Sequence, residues 1–314
     1  MKIIILGYNG LIGRNILELL AKNINKSKKF NLICVGRKIN FQPFKNKKIK
    51  YIKWNFTEFS KSKLYFLKKK CIIINCIGKT NSDMKNLKKM NVEFIKKLIN
   101  YINVNKILVR LIHLGSVSVY GAEKKYITKI KTIGEKSITV PYDIYSESKL
   151  EADSYIQKIS KINKKNFSFT ILRIANVFSE FKNSNSFRLI HFLLKKGIWF
   201  KCSDLTKYHF IHAKDVALSV FLTISYFNKS RNKIYNVSDD INQIQLHKIY
   251  SKRYNSKLFI FPISLKYLNL IIKNIPIPKI LLNLFLTISS QVTYNNNRIK
   301  KELNFHCKYS LAKK

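Results

Sequence analysis

The feature that most constrains this chain lies at its start. The short apolar run Ile3-Ile4-Ile5-Leu6 leads directly into Gly7-Tyr8-Asn9-Gly10-Leu11-Ile12-Gly13. A run of that length bounded by glycine predicts a buried strand. The residues after it, with Leu11, Ile12, Ile16, Leu19 and Leu20 on one side, predict an amphipathic helix. Gly7 permits a tight turn, Gly10 lets a phosphate approach the backbone, and Gly13 lets helix and strand pack closely. The helix N-terminus offers N–H donors to an anion. An ordinary turn is the alternative. Further strand-like runs at 31–35, 72–77, 108–114 and 167–172, with another short strand at 49–53, alternate with helical periodicity at 90–102 and 145–160. Nearly continuous apolar strands alternating with helices predict a parallel sheet covered on both faces. The expectation is an α/β chain with a Rossmann-type doubly wound parallel sheet over 1–176. Beyond Asn176 the pattern loosens. Helices are expected at 186–196, 213–227 and 245–254, and strands at 234–237 and 257–261. Residues 177–314 are assigned to a small substrate lobe, with some segments returning to the main sheet.

Charge is the unusual bulk property. Sixty Lys and Arg stand against 16 Asp and Glu in 314 residues, a formal net charge of +44. Nucleic acid or an anionic membrane surface would explain it functionally. The plainer reading is codon bias, since Lys, Ile and Asn are all abundant and the basic residues run from Lys2 to Lys314. No zinc-finger spacing or RNA-binding aromatic motif accompanies them, so no nucleic-acid partner is expected. Either way, a positive field attracts a diphosphate. Five cysteines at spacings that match no metal motif, three of them (Cys34, Cys71, Cys76) in apolar strand-like runs, fit a reducing compartment. No metal site is expected. A cleavable signal peptide would consume the glycine motif, so none is expected and the protein is read as cytoplasmic. The aliphatic segment 263–288 is interrupted by Lys266, Lys273, Pro276, Pro278 and Lys279. It predicts two short amphipathic helices around a proline turn, either packed on the lobe or lying in a membrane interface, not a span.

Two residue groups carry chemistry. Tyr145-Ser146-Glu147-Ser148-Lys149 opens a helix and puts Tyr145 and Lys149 on one face. There an ammonium beside a phenol favours the phenolate, making a useful base of a group whose ordinary pKa is near ~10. Taken alone, the pair would be better explained as a solvated helix face, because Lys is abundant throughout the chain. Ser116 closes an apolar strand, in Leu114-Gly115-Ser116-Val117-Ser118-Val119-Tyr120-Gly121, and the carboxyl end of a parallel strand faces the cleft.

In this order these motifs resemble the extended short-chain dehydrogenase/reductase family, the NAD-dependent epimerase/dehydratase type that includes nucleotide-sugar epimerases and reductases. Gly-x-x-Gly-x-x-Gly is that family's glycine spacing. Asn75-Cys76-Ile77-Gly78, Asn91-Val92, Leu172-Arg173-Ile174-Ala175-Asn176-Val177-Phe178, Phe210-Ile211-His212-Ala213-Lys214-Asp215-Val216-Ala217, Tyr235-Asn236-Val237 and 298–305 resemble its further segments. The likeness runs over roughly the whole chain. It implies Ser116, Tyr145 and Lys149 as catalytic residues. It implies Gly7, Gly10, Leu11, Ile12, Gly13, Arg37, Asn55 and Cys76, with Tyr145 and Lys149, around NAD or NADP, and Ser116, Asn176 and Lys207 around the substrate. His212 is read as structural.

Departures from the family pattern narrow the chemistry. The family's dehydratases carry an acid after the catalytic threonine or serine; here Val117-Ser118 holds none. No acid follows the second strand in Val35-Gly36-Arg37-Lys38, and Arg37 leans toward a 2′-phosphate and so toward NADP. Asn55 stands where the family has an adenine-contacting Asp. Lys207-Tyr208-His209 replaces the diphosphate-clamping arginine, with Lys207 as a point charge. The resemblance implies an epimerase or 4-keto reductase acting on a nucleotide-activated or polyprenyl-diphosphate-linked sugar for surface polysaccharide synthesis. A homodimer and peripheral membrane contact through 263–288 are compatible with it. The alternative is a non-catalytic dinucleotide-binding protein with a nucleic-acid or regulatory role.

Overall fold

The computed structural model describes every residue except Met1, 25–29, 40, 68–69, 81–82, 126–127, 181–184 and 314. Seven strands form one sheet: β1 (Lys2–Leu6), β2 (Asn31–Gly36), β3 (Ile49–Lys53), β4 (Cys71–Asn75), β5 (Val109–Ser116), β6 (Phe167–Ile174) and β7 (Lys233–Val237). Their spatial order is β7-β6-β5-β4-β1-β2-β3 and every pairing is parallel. The order reverses between β1 and β4, and at such a switch point a parallel sheet opens a crevice beyond its carboxyl edge. The continuous apolar runs are explained by burial on both faces. Ile3, Ile5, Ile72, Ile74, Ile112 and Leu114 pack on one side, and Ile4, Leu6, Ile73, Val109 and Leu111 on the other, the two-residue period of a strand.

Helices cover both faces. On the first lie α1 (Leu11–Ile24), through Ile16, Leu17 and Leu20, and α5 (Ala213–Ser225), through Val216, Ala217 and Val220. On the second lie α2 (Phe94–Val104), through Phe94, Ile95, Leu98 and Ile102, and α3 (Ile144–Ile162), through Ala152 and Ile156. The helix α3 begins with a capping box. Asp143 accepts the Ser146 backbone N–H at 2.8 Å while the Ser146 hydroxyl oxygen accepts the Asp143 N–H at 3.1 Å. That box places the N-cap two residues before Tyr145.

The rest of the chain builds a second cluster of aromatic and aliphatic side chains around α4 (Asn185–Lys195) and α6 (Gln243–Tyr254). There Lys207–His212 pairs parallel with Asn176–Phe178 and antiparallel with Asp239–Asn242, and Phe259–Pro262 pairs with Ile198–Lys201. Two segments cross between the halves. Lys233–Val237 returns to the main sheet as β7, and Lys131–Ile133 leaves the first half to pair with Val292–Tyr294. Residues 263–288 form α7 (Leu265–Asn274) and α8 (Lys279–Ser289) around Pro276 and Pro278, the two short helices expected. The chain closes with α9 (Asn297–Leu303).

Candidate active site

Because the sheet is parallel, Leu6, Gly36, Asn75, Ser116 and Ile174 all end their strands on one edge. The glycine turn sits there, and each glycine has its own reason. Gly7 has φ +81°, and a Cβ on it would come within 3.2 Å of the Cys76 backbone. At Gly13 a Cβ would lie 2.3 Å from the Gly7 carbonyl oxygen, so helix and turn pack only without a side chain. At Gly10 a Cβ would meet only the Gly7 carbonyl, at 3.3 Å, and the rest of that side is open. The N–H groups of Leu11, Ile12 and Gly13 belong to the first helical turn, which has no intrahelical acceptors for them. An open glycine flank beside unpaired amides is what a pyrophosphate needs, so these residues fit a dinucleotide.

Sequence reasoning missed what braces this turn. Gly36 lies under the turn, and a Cβ on it would displace the Asn9 side chain, whose Oδ1 would be 2.0 Å away. Tyr8 is fully buried, and its hydroxyl donates to the Lys38 and Phe41 carbonyls at 3.2 and 3.0 Å. Arg14 lies 4.1 Å over the Phe41 ring and donates to the Asn9 carbonyl at 3.1 Å. The turn is thereby locked to the segment after β2. Arg37, in that segment, is exposed. Asn55 is exposed too, and its side chain accepts the Thr57 N–H at 3.4 Å, closing a local turn.

Ser116, Tyr145 and Lys149 come together at the same edge. The Ser116 hydroxyl oxygen accepts the Ser118 N–H at 3.2 Å and the Ser118 hydroxyl at 2.9 Å. A hydroxyl oxygen has two acceptor positions, so both are engaged and its proton is left to donate. Burial pushes the Tyr145 phenol up to about 12, the Ser116 hydrogen bond pulls it back, and Asp143 and Asp153 add to the rise. Lys149 is buried, and its Nζ donates to the Leu114 carbonyl at 2.9 Å. Burial pulls Lys149 below its ordinary value, while Asp153 and Cys76 favour its charge. In this geometry the ammonium acts on the backbone, and Ser116 is the group that favours the phenolate.

The neighbours of Lys149 were not singled out by sequence, although one carried a signal. Asp153 is one helical turn on, fully buried, and 3.0 Å from Arg173 Nε. An acidic residue at i+4 from a buried lysine is the pattern that marks it. Gly78 allows the approach from the other side, since its Cβ would stand 3.4 Å from Lys149 Nζ. Asn91, in a π-helical turn, holds that loop through the Lys79 N–H at 2.9 Å and donates to Ser148 Oγ at 2.9 Å. Cys76, partly buried, has its thiol pushed up to about 12 by burial and is no thiolate at neutral pH.

The residues assigned to the substrate differ in setting. Asn176 is exposed at the start of its strand. Lys207 donates to Thr293 Oγ1 at 2.6 Å, which ties it to the strand paired with Lys131–Ile133. His212 caps α5 by accepting the Lys214 N–H at 3.2 Å, and its ring stacks 5.2 Å from Tyr309. Asp215 accepts the Lys308 and Tyr309 N–H groups at 2.8 and 3.0 Å and so pins the C-terminal segment.

Solved structures share this architecture. UDP-glucuronic acid 4-epimerase from Bacillus cereus, in complex with NAD, superimposes with a TM-score of 0.70 at 15% identity over 99% of this chain and 93% of that one. For UDP-glucose 4-epimerase from Thermotoga maritima with UDP-glucose the values are 0.69, 15%, 99% and 95%. For dTDP-glucose 4,6-dehydratase from Bacillus anthracis with NAD they are 0.67, 14%, 99% and 93%. Such identities speak for the fold alone. Among curated proteins none matches the sequence. The family model described as NAD dependent epimerase/dehydratase matches residues 3–238, from the first strand through β7. With the glycine turn, the Tyr145–Lys149 helix and the Ser116 strand all inside that match, the chain belongs to the NAD dependent epimerase/dehydratase family.

Proposed function

We propose that this protein is an NAD(P)-dependent epimerase or 4-keto reductase acting on a sugar carried on a diphosphate. The observation that carries the reading is the meeting of Ser116, Tyr145 and Lys149 at the sheet edge that also holds the open flank of Gly10. Bound there, the dinucleotide supplies the hydride acceptor or donor. Tyr145 takes the proton of a sugar hydroxyl on oxidation and returns one on reduction. Ser116 orients the same oxygen and through its hydrogen bond favours the Tyr145 phenolate, and Lys149 holds the ribose. Val117 and Ser118 supply no acid for eliminating water, and Ser118 is already engaged with Ser116, so dehydration is not part of the proposal. Arg37, exposed after β2, favours a 2′-phosphate and hence NADP.

A second observation favours a lipid-borne sugar for surface polysaccharide synthesis. The helix α7 buries Leu268 and Ile272 but also presents Tyr267 (70% exposed), Leu270 (54%) and, after it, Ile275 (55%). A helix packed only on its own lobe carries polar residues on its outer side. Phe259, Ile260 and Phe261 extend the apolar surface, with Lys257, Lys266 and Lys273 exposed around it. Among the described residues no helix is long and apolar enough to cross a membrane, so the contact proposed is peripheral, with an anionic cytoplasmic leaflet.

The test is to record the absorbance of the purified protein and then follow hydride transfer with a panel of diphospho-sugars. Retained reduced cofactor marks an epimerase, and release after each turnover marks a reductase. Dinucleotide binding with no transfer to any sugar overturns the proposal in favour of a non-catalytic binder.

A further inference from the structure

We propose a second ligand site, for a small organic oxyanion, at the amino edge of the sheet, opposite the dinucleotide crevice. It does not depend on the proposed activity. Cys71, Val109 and Phe167 begin β4, β5 and β6 in mutual register, and beneath them lies a cavity of about 210 Å³. Its walls are apolar, from Leu108, Phe167 and Phe227 among others, and its charged groups are all cations: Lys70, Arg110, Lys165 and Arg231. Among the described residues no Asp or Glu lines it.

Arg110 separates this site from the general basicity of the chain. Its side chain is 3% exposed, and every acceptor it meets is neutral. Nη1 donates to the Phe227 carbonyl at 2.9 Å, and Nη2 to the Thr223 carbonyl at 3.2 Å, to Thr170 Oγ1 at 3.3 Å and to Ser230 Oγ. Nε is shielded from solvent and has no acceptor among the described residues. The guanidinium carbon stands 4.0 Å over the Phe227 ring. A buried charge is costly unless an opposite charge or full hydrogen bonding offsets it. Here Nη1 makes one contact, the two Nη2 N–H groups are shared among three oxygens, and among the described residues Nε and one Nη1 N–H are left over with no carboxylate to compensate. Burial, with Arg231 nearby, draws the Arg110 pKa down to about 10, which leaves it cationic at neutral pH. Surface lysines explain none of this.

The ligand chemistry follows from the lining. An oxyanion, phosphate or carboxylate, answers the guanidinium and the cations at the mouth. A compact apolar body answers the aromatic and aliphatic walls. The test is calorimetric titration of the full chain with phenyl phosphate, benzoate and inorganic phosphate at low salt. Phenyl phosphate should bind one to one and about ten-fold or more tighter than inorganic phosphate, which lacks the ring. Benzoate against phenyl phosphate tells which head group the site prefers. Arg110→Met should weaken binding about ten-fold or more, the worth of a charge-assisted hydrogen bond. Arg231→Glu, on an exposed side chain whose Nη2 donates to the Lys164 carbonyl at 3.3 Å, should do the same by placing a carboxylate at the mouth. Binding should survive saturating NAD and the Gly10→Val change, since the two sites lie on opposite edges. Absence of saturable binding, unchanged affinity in folded Arg231→Glu, or displacement by NAD would each overturn the proposal.

Discussion

Replacing Ser116 by alanine should shift the pH dependence of hydride transfer as well as slow it. Both acceptor positions of Ser116 Oγ are occupied by Ser118 donors, so its proton is left to donate, and the hydrogen bond with Ser116 pulls the Tyr145 phenol down. A hydrogen bond to a charged acceptor is worth ~1.5–3 kcal/mol. At ~1.4 kcal/mol per pKa unit, its loss raises the phenol by about one to two units. The sign is fixed, because removing a donor from an anion disfavours the anion. On the limb where rate follows the phenolate fraction, the variant loses about 10- to 100-fold at fixed pH. Raising the pH by the same one to two units restores the rate. Ser118→Ala, which frees one lone pair of Ser116, should give a smaller shift in the same direction. Tyr145→Phe should abolish the limb and cost ~10²–10⁴-fold. The assay is single-turnover hydride transfer, followed by nicotinamide absorbance from neutral to alkaline pH, with each variant loaded with cofactor. An orienting role alone predicts a loss that is equal at every pH. Coincident inflections in wild type and Ser116→Ala would therefore refute the reasoning.

Four further outcomes are expected. Gly10→Val fills the open flank beside the turn and should abolish dinucleotide binding while leaving the melting temperature close to wild type, read by calorimetry and thermal melting. Arg37→Asp should shift the NADP-to-NAD affinity ratio toward NAD, and an unchanged ratio reduces Arg37 to a surface charge. His209 is drawn down by burial but lifted above its ordinary value by Asp240, 3.0 Å away. The stability it contributes is therefore fully present below about 6.5 and is lost as pH rises through the higher folded value; Asp240→Asn should flatten that dependence in melting curves. The protein should partly sediment with anionic liposomes at low salt and less with neutral ones, and a clear supernatant in both would favour α7 and α8 as packing elements only.

The sheet was legible because burial on two faces leaves a strong trace. A strand with helices above and below is apolar at nearly every position, and 3–6, 31–35, 72–77 and 108–114 read that way apart from Asn31, Asn75, Arg110 and His113. The smaller strands left no such trace. Lys131–Ile133 buries only Ile133, and its partner Val292–Tyr294 lies far along the chain. Nothing local in three residues announces a pairing made at that separation. Ile198–Lys201 escaped for the same reason, although its partner at 257–261 showed as an apolar run.

The site divides along a different line. Spacing carries the face of a helix but not the direction of a long side chain. Tyr145 and Lys149 do share a face, as i and i+4 must, yet four rotatable bonds take the ammonium to the Leu114 carbonyl. The group acting on the phenol, Ser116, sits on a different element, at the end of β5. That contact is long-range, so no window of sequence holds it. Motif likeness also mixes chemistry with masonry. The Tyr120 hydroxyl donates to Asn236 Oδ1 at 2.8 Å, Arg173 lies 4.9 Å over the Tyr120 ring, and Asn236 Nδ2 donates to the Ile133 carbonyl at 3.2 Å. Three motif positions thus form one buried strut between β5, β6, β7 and the crossing strand at 131–133. A residue type required by buried hydrogen bonds is as constrained as one required by a reaction. The two are told apart by where the groups are engaged: Tyr120 and Asn236 are spent on each other, while Ser116 acts on the Tyr145 phenol at the edge of the crevice.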